Sequence, residues 1–166
     1  MTRRRTYLIL AIVLFFSLFQ ASFLHYFPLW GVRPDLVLIL VAMLGLFNGL
    51  ADGVAFGLAA GFIMSLVSTG TAGVFCLAYS LTAYLSALVK EKIHPDYYFV
   101  PAAVAAGATV LSTVLFVTSG ALLRHGKNID HIKEIIVPLI VMNVVLSIPM
   151  GFLVRTRAIS TRASFE

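Results

Sequence analysis

Four histidines (His25, His94, His125, His131) and one cysteine, Cys76, are the residues of this 166-residue chain best suited to metal or nucleophilic chemistry. None has the neighbours that such chemistry needs. Zinc ligands recur at short, fixed spacings, and a site drawn from His25, His125 and His131 has no spacing to support it. Cys76 lies inside an apolar run without a second cysteine, the setting of a small buried hydrophobe. The glycine-rich stretch is not a phosphate loop, because it lacks the Gly-Lys-Ser/Thr ending and a preceding strand. No nucleophile, base and acid are arranged together. The residues point away from an enzyme, with no catalytic, cofactor-binding or metal-binding residue to nominate.

The elements that would position any site are apolar throughout. Of the residues, 60% are hydrophobic and 11% charged, where soluble domains run nearer about a quarter charged. With a mean hydropathy of +1.00, a chain of this length cannot hide its apolar surface in a soluble core. Lipid accepts it. The fold class expected is an all-α integral membrane protein forming one polytopic domain over residues 1–166, with six spans near 6–24, 34–50, 53–68, 71–89, 100–123 and 135–154.

The first run follows Arg3, Arg4 and Arg5 and resembles a signal peptide, but it is long enough to span and has no Ala-x-Ala cleavage pattern. It reads as an uncleaved helix. Tyr26 and Trp30 flank it as interfacial aromatics. Pro34 is then placed in the first turn of the second run, with Asp35 complementing the positive helix end. Asn48 to Gly53 reads as a tight turn between the second and third runs. Both runs are short, and five spans with a re-entrant element are the alternative. Pro138 and Pro149 should bend or break the sixth run, and the tail from Arg155 to Glu166 should fray.

The net charge of +5 is not a nucleic-acid footprint, because the basic residues cluster at the ends of apolar runs. With six spans and the amino terminus inside, the inner side carries Arg3, Arg4, Arg5, Lys90, Lys92, Arg155, Arg157 and Arg162. The outer side carries Arg33, Arg124, Lys127 and Lys133. Eight against four places both termini in the cytoplasm. No charge falls near the middle of a span, which argues against proton-coupled transport. Asn143 does lie mid-span and should be hydrogen-bonded within the chain. Other polar groups, Gln20 and Tyr79 among them, show no clustering in the sequence.

Glycine recurs every fourth residue at Gly45, Gly49, Gly53, Gly57 and Gly61, and Ser65 and Thr69 continue the series. In a helix that spacing keeps small residues on one face, where another backbone can come close. Gly53, Gly57, Gly61 and Ser65 are the candidate packing face, whether toward the chain itself or toward a partner.

Arg33-Pro34-Asp35-Leu36-Val37-Leu38-Ile39-Leu40, then Gly61 to Val74 with Ser65-Leu66-Val67-Ser68-Thr69-Gly70-Thr71-Ala72-Gly73, then Ala83-Tyr84-Leu85-Ser86-Ala87-Leu88, resemble the rod shape-determining membrane protein family MreD. Length, basic amino terminus and short basic tail match in layout. One departure stands out: the family usually carries an acidic residue where this chain has Ser65, so no role of that carboxylate transfers. Ser65 keeps the position small and polar.

The resemblance implies a non-enzymatic scaffold of the bacterial cell-elongation machinery in the cytoplasmic (inner) membrane. It would bind MreC and, with the MreB cytoskeleton, RodA and a penicillin-binding transpeptidase, link cytoskeleton to peptidoglycan synthesis. Its candidate contacts are Arg33, Pro34, Asp35, Gly53, Gly57, Gly61, Ser65 and Gly73, toward MreC, a second copy, or membrane lipids. The resemblance also implies a fold similar to the substrate-binding subunit of energy-coupling-factor transporters. The alternative function is therefore vitamin capture, which would need an outward pocket with convergent polar groups. An enzyme acting on lipid, the third possibility, lacks its acid, base or metal residues.

Overall fold

The structure, a computed structural model, describes residues 3–20, 22, 34–67, 72–92, 99–123 and 132–162. They form six helices: α1 (Arg3–Phe19), α2 (Leu36–Asn48), α3 (Leu50–Val67), α4 (Ala72–Lys92), α5 (Phe99–Leu123) and α6 (Ile132–Arg162). Three windows, Leu50–Val67, Gly73–Lys90 and Phe99–Gly120, are long and apolar enough to cross a membrane, and α1, α2 and α6 contribute shorter apolar stretches. Large apolar side chains stand outward on every side, among them Phe15, Phe62, Leu66, Leu77, Val114, Val145 and Phe152. An apolar surface that extensive is foreign to a soluble monomer and ordinary against lipid.

α2 is the centre. It touches all five other helices, and every residue from Val37 to Leu46 is buried. A helix apolar on all sides belongs inside a protein, where no face needs water. Its 13 residues rise about 20 Å, less than the roughly 30 Å of a hydrocarbon core. A helix that short cannot carry both of its ends to water, so its unpaired end groups must be answered by neighbouring side chains.

The helix begins later than the sequence suggests. Pro34 lies before it, buried, and Asp35 is the N-cap, accepting from the Leu38 amide. The turn that follows is tighter than Asn48 to Gly53. Gly49 alone stands between α2 and α3, at φ 97° and ψ −176°, a conformation open essentially to glycine. The Gly49 amide donates to the Gly45 carbonyl at 3.1 Å, and the Gly53 amide to the Gly49 carbonyl at 2.9 Å. Lys90 reaches across from α4 to donate to the Phe47 carbonyl at 3.0 Å, answering an end carbonyl and the negative end of the helix together.

α6 runs through both Pro138 and Pro149 as one helix of 31 residues. The tail expected to fray continues this helix to Arg162, which carries α6 about 46 Å, beyond the thickness of a hydrocarbon core.

Candidate functional site

Five side chains that sequence spacing leaves scattered meet at the N-terminus of α2. Asp35 is the hub. Its Oδ1 accepts from Gln20 Nε2 at 3.0 Å and from the Leu38 amide at 2.9 Å. Its Oδ2 accepts from the Tyr79 hydroxyl at 2.7 Å. Gln20 Oε1 in turn accepts from the Val37 amide at 3.0 Å, so one carboxyl and one amide answer two of the unpaired N–H groups of the first turn. The Asp35 amide donates to Asn143 Oδ1 at 3.2 Å, and Asn143 Nδ2 donates to Thr109 Oγ1 at 3.0 Å. Thr109 closes the chain by donating to the Ala105 carbonyl at 2.7 Å.

The result is a continuous polar network across five elements. Gln20 follows α1, Asp35 heads α2, Tyr79 stands on α4, Thr109 on α5 and Asn143 on α6. Tyr79, Thr109 and Asn143 are fully buried, and Asp35 and Gln20 are half-buried. Apart from the local bonds of the Leu38 amide to Asp35 and of Thr109 to the Ala105 carbonyl, every hydrogen bond here joins different elements and exists only because the helices are assembled. Networks of this kind specify one arrangement, since separating any member leaves a polar group unpaired in an apolar interior.

The second constellation is the glycine seam. α3 and α4 are the most extensively packed pair, and they run antiparallel in four-residue steps. A Cβ at Gly53 would stand 2.7 Å from the Gly45 Cα, one at Gly57 2.8 Å from the Tyr79 carbonyl oxygen, and one at Gly61 2.6 Å from the Cys76 Cα. A Cβ at Gly45 would collide with the Ala83 carbonyl oxygen. Tyr79 joins the two constellations, with its backbone in the seam and its hydroxyl on Asp35.

A match to known proteins decides the family. The family model of the rod shape-determining protein MreD matches residues 1–157. The chain belongs to the MreD family. No curated protein and no solved structure matches it, so the similarity to energy-coupling-factor subunits expected from the sequence finds no support. MreD membership assigns the chain a part in rod-shape determination, and its helices are those of a membrane protein.

The residues nominated from sequence fall into distinct places. Gly53, Gly57 and Gly61 are buried in the seam, facing α2 and α4 of the same chain. Ser65 is half-buried, and its hydroxyl donates to the Phe62 carbonyl of its own helix at 2.6 Å. Gly73 is exposed with nothing beside it among the described residues. Pro34 is buried and Asp35 half-buried, its carboxyl bonded within the chain. Arg33, and the three histidines of the zinc possibility, His25, His125 and His131, lie outside the described residues. Among the described residues no group of His, Cys, Asp and Glu could hold a metal.

Asn143 is bonded within the chain as the sequence requires. The spacing of Gln20, Tyr79 and Asn143 in the sequence gives no sign that they cluster about Asp35. One signal was available: Asp35 heads the most uniformly apolar run of the chain, and a helix without a polar face must have its end answered by side chains from elsewhere.

Proposed function

We propose that the chain is a non-enzymatic membrane scaffold of the cell-elongation machinery. It holds the membrane helix of MreC and, through MreC, acts with MreB, RodA and a penicillin-binding transpeptidase. Family membership supports this reading. The observation that carries it is how the interior polar groups are used. Both carboxyl oxygens of Asp35, both ends of the Gln20 amide and both ends of the Asn143 amide are bonded to other parts of the chain. Such an interior holds five elements in one arrangement, with α3 secured by the glycine seam, and offers a preformed outer surface for lateral packing, where binding loses least to ordering.

In this reading all six helices serve as spans in the cytoplasmic membrane, α2 being the short central one, with both termini in the cytoplasm. Gly57 and Gly61 serve the scaffold's own packing, and MreC binds an outward face. The test is gentle purification of the tagged chain from its native membrane, followed by mass spectrometry of proteins and small molecules together. The expected result is stoichiometric MreC with no bound metabolite. A vitamin and an ATPase module in its place would overturn the reading.

A further inference from the structure

Two prolines stand inside α6, and they sit at different depths. A proline has no N–H, so the carbonyl four residues before it loses its helical donor. Pro138 frees the carbonyl of Glu134, which precedes the apolar window Ile136–Phe152 and lies within reach of water. Pro149 frees the carbonyl of Val145, beside the centre of that window. In hydrocarbon a carbonyl freed in this way is answered by a neighbouring helix, a nearby hydroxyl or an ordered water. Among the described residues no side chain answers this one. Ser147, the hydroxyl two residues on, donates to the Val144 carbonyl at 2.7 Å instead.

The freed carbonyl belongs to the outward side of α6. A helical carbonyl points along the axis toward the residue four positions on. Val145 is 60% exposed, and Ile148 and Pro149 beside it are exposed as well. Val137, Val141 and Phe152 extend the same face toward both ends of the helix. An accessible acceptor therefore interrupts a face that is otherwise branched or aromatic hydrocarbon.

Depth and hydrogen-bonding sense select the occupant. At the middle of a bilayer a lipid presents only hydrocarbon, which has no donor. A second copy meeting this face about a two-fold axis sets acceptor against acceptor, since the face carries no donor of its own. A partner's membrane helix with an inward Ser, Thr, Asn or Gln supplies what is missing.

We propose that the outward face of α6 is the docking site for a partner protein's membrane helix, which donates a side-chain hydrogen bond to the Val145 carbonyl left open by Pro149. The proposal deepens the scaffold reading, and rests on it for the spanning of α6 and for MreC as the probe.

The experiment measures recovery of full-length MreC with the full-length tagged chain, and photo-crosslinking from a benzoylphenylalanine at Val141 in native membranes. Pro149→Ala restores the helical donor and should lower MreC recovery about three-fold, the worth of one interhelical hydrogen bond. The Tm of the isolated chain should be no lower than wild type, because a proline leaves a helix interior. The hydroxy-acid analogue of alanine at position 149 has an ester oxygen in place of that N–H, leaves the acceptor open, and should retain wild-type recovery. Val145→Trp covers the face and should lower recovery about ten-fold. Pro138→Ala, and Leu66→Trp on the exposed side of α3, should change nothing.

With wild type binding MreC, equal recovery by alanine and its hydroxy analogue, or unaltered recovery by Val145→Trp, overturns the proposal and leaves the scaffold reading standing. If wild type does not bind MreC, the scaffold reading fails and the Val141 crosslinks decide the face. Adducts confined to lipid or to a second copy overturn it. An adduct to another membrane-spanning protein, weakened by Pro149→Ala and not by the hydroxy analogue, sustains it.

Discussion

The two ends of α2 are held by opposite means. At its N-terminus, side chains from three other elements converge on Asp35 and on the first-turn amides, with Thr109 of a fourth behind Asn143, and specificity comes from hydrogen bonds. At its C-terminus, Gly45, Gly53 and the single-residue turn at Gly49 bring α2, α3 and α4 together until backbones touch, and the seam continues along α3 through Gly57 and Gly61. Lys90 bonds this end from α4. In lipid the hydrophobic effect does not separate helix from helix surface, so a fold must use close packing or polar pairing to choose its contacts. This chain uses one at each end of its central helix, and α3, which takes no part in the polar network, is secured by the seam.

If the seam is steric, enlarging it should be the most damaging change in the molecule. Gly57→Leu with Gly61→Leu sets side chains where the α4 backbone already lies 2.8 and 2.6 Å from a bare Cβ. The expected outcome is loss of the folded protein, read as failure to accumulate and as aggregation on size-exclusion chromatography in mild detergent. Gly61→Ala alone should cost about 1–3 kcal/mol, the usual range for overpacking. An unchanged Tm for Gly61→Ala would mean that α3 and α4 can move apart freely, and the contrast between the two ends would collapse.

At the polar end the damage should scale with the number of donors stranded. Asp35→Ala leaves the Leu38 amide, Gln20 Nε2 and the Tyr79 hydroxyl unanswered together, and should cost about 3 kcal/mol or more. Asp35→Asn keeps an oxygen for the amides and lets the Tyr79 hydroxyl turn to accept, so about 1 kcal/mol is expected. Tyr79→Phe removes one hydrogen bond and keeps the ring, which packs edge-on against Phe75 at 6.0 Å. Its expected loss is about 0.6–1.7 kcal/mol, as measured for interhelical bonds in membranes. Thermal unfolding of the purified variants in one detergent gives the order Asp35→Ala, then Tyr79→Phe and Asp35→Asn. A cost for Tyr79→Phe equal to that of Asp35→Ala would show that the hydroxyl alone anchors α4.

The two ends also differ in how far they can be read from the chain. The glycine seam is periodic, and a four-residue recurrence places its members on one face before any partner is known; what the spacing withholds is which backbone fills that face. The polar network has no period at all. Gln20, Asp35, Tyr79, Thr109 and Asn143 are spread over more than a hundred residues, and their meeting depends on how five elements are arranged around α2. Asp35 shows the cost of local reading. Beside Pro34 it reads as a carboxylate that complements its own helix end, and nothing local shows that Gln20 and Tyr79 also bond it. Helix existence was legible from apolar runs, whereas the extent of α6 was not, because its charged tail satisfies no apolar pattern and its prolines suggest an ending.

The smallest expected effect tests whether glycine itself matters or only what faces it. Gly73 stands in the first turn of α4, exposed, with nothing within 4 Å of a Cβ placed there among the described residues. Gly61 sits in the middle of α3 against the backbone of that same α4. Alanine is the better helix former by up to about 1 kcal/mol, chiefly because glycine has more freedom to lose on folding. Gly73→Ala should therefore leave Tm unchanged or raise it slightly, while the identical substitution at Gly61 lowers it. The pair cancels composition, residue type and chemistry, so the sign difference reports the space opposite each position alone. Should both substitutions stabilise, close backbone approach would not be what holds α3 in place, and its attachment would have to be sought among the apolar side chains Phe56, Ala60 and Met64 that it also buries.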